Sequence, residues 1–203
     1  MRLDLRFTIR PLEDLWCQAV VMLSFRIQDK MPNALSAIDK KMTGSMSNII
    51  QSGIWSGVCG DKLLFATQNA IKADKLLVHG LGDESMYSLD LLEEEIQDVG
   101  NTLDKMCINE FCFYLPEVPG PESEYIIHLE AAIKCIAGVF LDKYKDVPDY
   151  ILKMYISIDN KYTGPVEKMT SSLRHYFSPF SDLTIILDKG TGYHGVGMSE
   201  LAA

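Results

Sequence analysis

The sequence offers few of the usual materials for a covalent or redox active site. Its 203 residues include five cysteines and four histidines. The cysteines (Cys17, Cys59, Cys107, Cys112 and Cys135) form no CxxC pair and leave an odd one over, which excludes a zinc ribbon and a disulfide framework. Cys112 and Cys135 sit inside apolar patterns, as buried free thiols do. The histidines (His79, His128, His175 and His194) are widely separated, and none falls in HExxH or another metal-ligand spacing. No GxSxG elbow occurs. A net charge of −9 leaves no basic surplus to neutralise phosphates, which argues against nucleic acid and against an anionic membrane. Apolar runs such as residues 19–23 are far too short to span a bilayer. The start, Met1-Arg-Leu-Asp-Leu, alternates charged and apolar residues and does not read as a signal peptide. A cytoplasmic location is expected, with neither metal nor cofactor.

What is present is a normal core. Hydrophobic residues make up 47% and charged residues 23%, in keeping with one globular domain over residues 1–189. Residues 190–203 read as a glycine-rich C-terminal tail. Residues 3–9 alternate apolar and polar side chains, the pattern of a strand with one buried face. Residues 18–25 are more continuously apolar, as in a strand covered on both faces. Asn33 is placed to cap a helix running to Met42, and a second short helix should reach about Gln51. The glycine loop 52–61 leads into a strand at 62–67, not a helix, so it reads as a turn and not as a phosphate cradle.

The chain is organised around Lys75-Leu-Leu-Val-His-Gly-Leu-Gly-Asp-Glu84. An apolar strand, expected near the middle of a sheet, ends in two glycines and two acids. A long helix pattern follows, with the acids expected at its positive end. Leu89, Leu92, Ile96, Val99, Leu103 and Met106 recur every three or four residues and define one buried stripe. Glu93, Glu94 and Glu95 fan out over different helix faces, so they cannot converge on one ion and read as a solvated surface. Further strands are expected at 110–115, 150–158 and 183–187, with helices at 122–144 and 164–177. This alternation predicts an α/β fold of three layers, with a mixed, largely parallel sheet flanked by helices.

Candidate site residues cluster at the central turn. His79 ends the strand and could approach a ligand, although a lone histidine there is expected to bond to backbone. Gly80 and Gly82 could present backbone N–H groups to an anion, but Asp83 and Glu84 would repel phosphate. Gly190-Thr-Gly-Tyr-His-Gly195 matches GxGxxG, yet too few residues follow it to build a dinucleotide fold.

Three stretches carry a family likeness. Gly57-Val-Cys-Gly-Asp61, the strand and turn Lys75-Leu-Leu-Val-His-Gly-Leu-Gly82, and the helix from Leu129-Glu-Ala-Ala-Ile133 to Phe140-Leu-Asp-Lys-Tyr-Lys145 follow one another in order. Together they resemble the amino-terminal domain of the leucyl (cytosol) aminopeptidases. The resemblance implies a macrodomain-like fold. It also implies a domain that does no chemistry but packs against a catalytic domain and contributes to hexamer assembly. The catalytic signature Asn-Thr-Asp-Ala-Glu-Gly-Arg-Leu is absent here, and Asn101-Thr-Leu-Asp104 is a chance echo. The expectation is therefore a stand-alone, non-catalytic domain. Its partners would be further copies of itself or a separately encoded protein. The alternative is a macrodomain-like binder of a nucleotide or ADP-ribose-like small molecule at His79, Gly80, Gly82 and Asp83.

Overall fold

A computed structural model describes residues 1–27 and 31–188. The expected tail, with His194 and Tyr193, lies outside the described residues. Seven strands, β1 (Arg2–Thr8), β2 (Ala19–Ser24), β3 (Lys62–Ala66), β4 (Lys75–Gly80), β5 (Glu110–Tyr114), β6 (Ile151–Ser157) and β7 (Asp182–Asp188), form one sheet in the order β3-β4-β2-β5-β6-β1-β7. Among the described residues only the β3–β4 pair is antiparallel, so the sheet is mixed and largely parallel as expected. β4 is second from an edge; the middle position belongs to β5. An apolar run reports burial on both faces, and any strand flanked by neighbours and covered by helices satisfies that.

Burial follows the sequence patterns. β2 is buried at all six positions. In β1, β6 and β7 burial alternates: Leu3, Leu5, Phe7, Leu152, Met154 and Ile156 are buried, while Asp4, Arg6, Lys153 and Tyr155 are half-exposed. Helices α3 (Leu89–Lys105), α4 (Glu122–Tyr144) and α5 (Thr163–Phe177) cover one face and share its larger core. On the other face α1 (Asn33–Lys41) and α2 (Ser45–Gln51) cover a smaller core built on β2, β4 and β5. The three-layer α/β expectation holds.

Leu92, Ile96, Val99 and Leu103 of α3 are fully buried, each contributing about 1.5–3 kcal/mol of transfer free energy. Two end positions differ from expectation. Asn33 is the first residue of α1, which follows Pro32 and has no side-chain cap. The acids do not meet the start of α3, because a 3-10 turn at Glu84–Met86 intervenes and Ser88 caps the helix through Leu91 N–H. Asp83 instead faces Arg26 at 3.6 Å.

Candidate functional site

The glycines after β4 serve a close approach of two backbones. A Cβ on Gly80 would stand 2.2 Å from the Val58 carbonyl oxygen, and Gly82 has φ +75°, with a Cβ position 3.1 Å from Cys59 Cβ. The loop 57–61 therefore lies directly on the turn 80–82. This contact uses the backbone donors that could have met an anion. Gly80 N–H donates to Asp61 O at 2.8 Å, Leu81 N–H to Ser24 O at 2.8 Å, and Gly82 N–H to Gly57 O at 3.0 Å. Gly60 N–H in turn donates to Gly80 O at 3.1 Å.

His79 lies one residue before this turn, with its side chain on the α3 face of the sheet and no exposed surface. Its partner is not backbone, as the sequence suggested, but Glu95 of α3, whose carboxylate contacts Nε2. Burial pushes the imidazole below its usual pKa against the opposing pull of Glu95, so the ring is neutral at pH 7 and Nε2–H donates. Nδ1 is buried and has no hydrogen-bond partner among the described residues. The other Glu95 oxygen accepts from Cys59 Sγ at 3.1 Å. Desolvation first, then the Glu95 carboxylate, push the Cys59 thiol up to about 11, so it stays protonated at neutral pH. One helical turn on, Asp98 pairs with Lys62 of β3. Donor atoms of His79, Glu95 and Asp98 all lie within 4.8 Å of one another.

Of the candidate residues, His79, Gly80 and Gly82 are thus brought together, while Asp83 points to Arg26 and not to the cluster. Cys59, Glu95 and Asp98 were missed as site residues. Glu93 and Glu94 are exposed as expected, but the Glu95 side chain retains only 12% of its accessible surface. A signal existed: Glu95 is three residues after Leu92 and four before Val99, which puts it at the border of the buried stripe. The other described histidines are unremarkable. Tyr87 hydroxyl meets His128 Nδ1 at 2.8 Å, and His175 is exposed on α5.

Two larger concavities lie elsewhere. A cleft of about 760 Å³ opens where β1, β2, β5 and β6 end, with Arg10, Arg26, Glu13, Glu84, Glu117 and Asp159 on its walls. A groove of about 840 Å³ runs along α4, its rim carrying Asp90, Glu93, Glu94, Glu130 and Asp142 against the single cation Lys134. No helix among the described residues is long and apolar enough to cross a membrane.

The fold has many relatives of low identity. A macrodomain of ganglioside induced differentiation associated protein 2 matches with TM-score 0.61 and 13% identity, covering 83% of this chain and 82% of that one. A Trypanosoma brucei macrodomain solved in complex with ADP-ribose matches with TM-score 0.56 and 14% identity, covering 83% and 69%. A mutant tomato leucine aminopeptidase matches with TM-score 0.59 and 15% identity over 77% of this chain and 32% of that enzyme. In sequence, a probable cytosol aminopeptidase of Sulfurihydrogenibium sp. (strain YO3AOP1) is 29% identical over 90 residues, 44% of this chain and 18% of the relative. Its counterpart in Halorhodospira halophila (strain DSM 244 / SL1) is 24% identical over 132 residues, 64% and 26% respectively. The matched part is thus about a quarter or less of those curated relatives. The profile of the cytosol aminopeptidase family's N-terminal domain matches residues 21–147, more than half of the chain. By that match, and in agreement with its macrodomain-like fold, the chain belongs to the cytosol aminopeptidase family through its N-terminal domain.

Proposed function

We propose that this domain acts without chemistry of its own, by association with further copies of the chain through the α4–α5 surface. The observation that carries the reading is an exposed apolar strip. Ile127 (56% exposed), Tyr176 (44%) and Phe180 (54%) are large side chains facing solvent. Ile127 and Tyr176 line the same groove, and the Tyr176 and Phe180 rings stand 6.3 Å apart. Large apolar side chains grouped at a surface are often covered by protein. The edge of β7 is a poorer docking surface, since Asp182 and Asp188 bracket it with charge, a common guard against strand addition. The acidic rim of the groove favours a facing surface that brings Lys or Arg, because groove against groove would oppose like charges. Native mass spectrometry of the purified chain should show a defined oligomer, and Ile127→Asp combined with Phe180→Asp should give the monomer. Equal masses for parent and variant would remove the reading.

A second reading, a small-molecule site, is favoured by the cleft at the carboxyl ends of the parallel strands, the position where open α/β sheets commonly take ligands. One macrodomain neighbour was solved in complex with ADP-ribose. Arg10 and Arg26 could meet phosphates there, but four carboxylates share the walls and Asp83 already faces Arg26. Calorimetry with ADP-ribose decides: absence of heat at saturating ligand eliminates this reading.

A further inference from the structure

We propose that His79, Glu95 and Asp98 form a binding site for a divalent transition-metal ion of the zinc class. The site shares no residue with the α4 groove or the strand-end cleft and does not depend on either reading above.

The first argument is geometry. Donor atoms of the three side chains lie within 4.8 Å of one another. A tetrahedral zinc with bonds of about 2.0–2.2 Å holds its donors roughly 3.4 Å apart. His79 Nε2 and Glu95 are already in contact, and Asp98 is exposed on α3 within the same 4.8 Å. Glu95 and Asp98 are three residues apart on one helix and point the same way, while His79 comes from the strand beneath.

The second argument is the state of the histidine. This is not a patch of surface acids: its centre is an imidazole with no exposed surface. The ring is held in place by its strand, and Nε2 is aimed at the carboxylates.

The third argument is the donor chemistry. One nitrogen and two carboxylate oxygens suit zinc-class ions. Calcium and magnesium favour all-oxygen shells.

Lys62 opposes the ion. Its ammonium pairs with Asp98 and occupies part of the space that a dication would neutralise. Lys62 sits on edge strand β3, and its long stem can carry the charge into solvent. The ion and the ammonium therefore compete for Asp98, which predicts that removing the ammonium tightens the site.

The test is calorimetric titration of Zn²⁺ into the full chain after chelator treatment. One ion per chain is expected. Asp98→Asn, at an exposed position, should weaken binding at least roughly tenfold while the circular dichroism spectrum and Tm stay those of the parent. Glu95→Gln should weaken it further, and Lys62→Met should tighten it. No binding to the parent, or an affinity unchanged by both Asp98→Asn and Glu95→Gln, overturns the proposal, since zinc would then be absent or held by other groups.

Discussion

The backbone at Gly80 passes so close to Val58 that a Cβ on the glycine would stand 2.2 Å from the Val58 carbonyl oxygen. A backbone atom, unlike the tip of a long side chain, cannot move aside without shifting its loop. This contact fixes where β4 ends and where Cys59 meets Glu95.

Gly80→Ala should therefore cost about 2–4 kcal/mol of stability, through overpacking against a backbone already committed to hydrogen bonds. Gly82→Ala should cost about 1–2 kcal/mol, because φ +75° is a left-handed conformation. Urea denaturation of the two variants checks both the magnitudes and their order. Equal or smaller losses at Gly80 would mean that the loop yields easily.

Asp39, buried near the end of α1, takes the place of an N-cap for α2. The residue before α2 is Gly44, with φ 77° and no side chain to offer. Asp39 Oδ1 accepts from Met46 N–H at 2.8 Å and Ser47 N–H at 3.3 Å, and Oδ2 accepts from the Ser47 hydroxyl. Asp39→Ala should cost about 2 kcal/mol, since it leaves donors at a buried helix start unpaired. Ser47→Ala removes one bond and should cost less. Chemical denaturation of both variants tests the ranking.

Asp104 joins the carboxyl ends of α3 and α4 and should make stability pH-dependent. It accepts from Lys143 Nζ at 2.6 Å and from the Tyr144 hydroxyl at 2.7 Å. The Lys143 hydrogen bond is the main cause that holds its carboxyl below the ordinary 3.8, with Tyr144 adding to it. With the folded value depressed, the unfolded chain binds more protons between the two values. The contribution is thus present above about pH 4 and is lost as pH falls through the folded value. Because the pair is partly solvated, the contribution should be about 1 kcal/mol or less. Asp104→Asn should lower stability at pH 7, and the gap to the parent should close in strong acid. A constant gap across pH would show that the carboxylate charge is not what matters.

Gly100 lets α3 and α4 approach. Its missing Cβ would stand 3.0 Å from Val139 Cγ2 and 3.2 Å from Val139 Cβ. Gly100→Ala gains about 1 kcal/mol of helix propensity but pays for overpacking, so the single variant should be near neutral or destabilised. In the Val139→Ala background the clash is gone and Gly100→Ala should stabilise. A double-mutant cycle on Tm reads this directly, and additivity would refute the contact.

Much of the fold was legible in the sequence because it rests on local periodicity. The alternation at 3–9 and the continuous run at 18–25 correctly separated a strand buried on one face from a strand buried on two. The candidate site was less legible. Its glycines stood out, since few residues tolerate such backbone contacts, but Glu95 looked like its neighbours Glu93 and Glu94. Exposed acids on a helix are common, and only the spacing of Glu95 from Leu92 and Val99, at the border of the buried stripe, sets it apart from its neighbours.

What the sequence determined by itself was the kind and approximate place of each strand and α-helix, the core stripe of α3, the β3–β4 hairpin and membership of the family. Those properties follow from side-chain period, turn chemistry and matching words in order. Only the tertiary structure decided that β4 lies next to an edge, that the Gly80 and Gly82 N–H groups are spent on the 57–61 loop, and that His79 meets a carboxylate 16 residues away. Strand order and inter-element contacts arise from how whole layers pack. A buried imidazole accepts whichever partner that packing brings within reach.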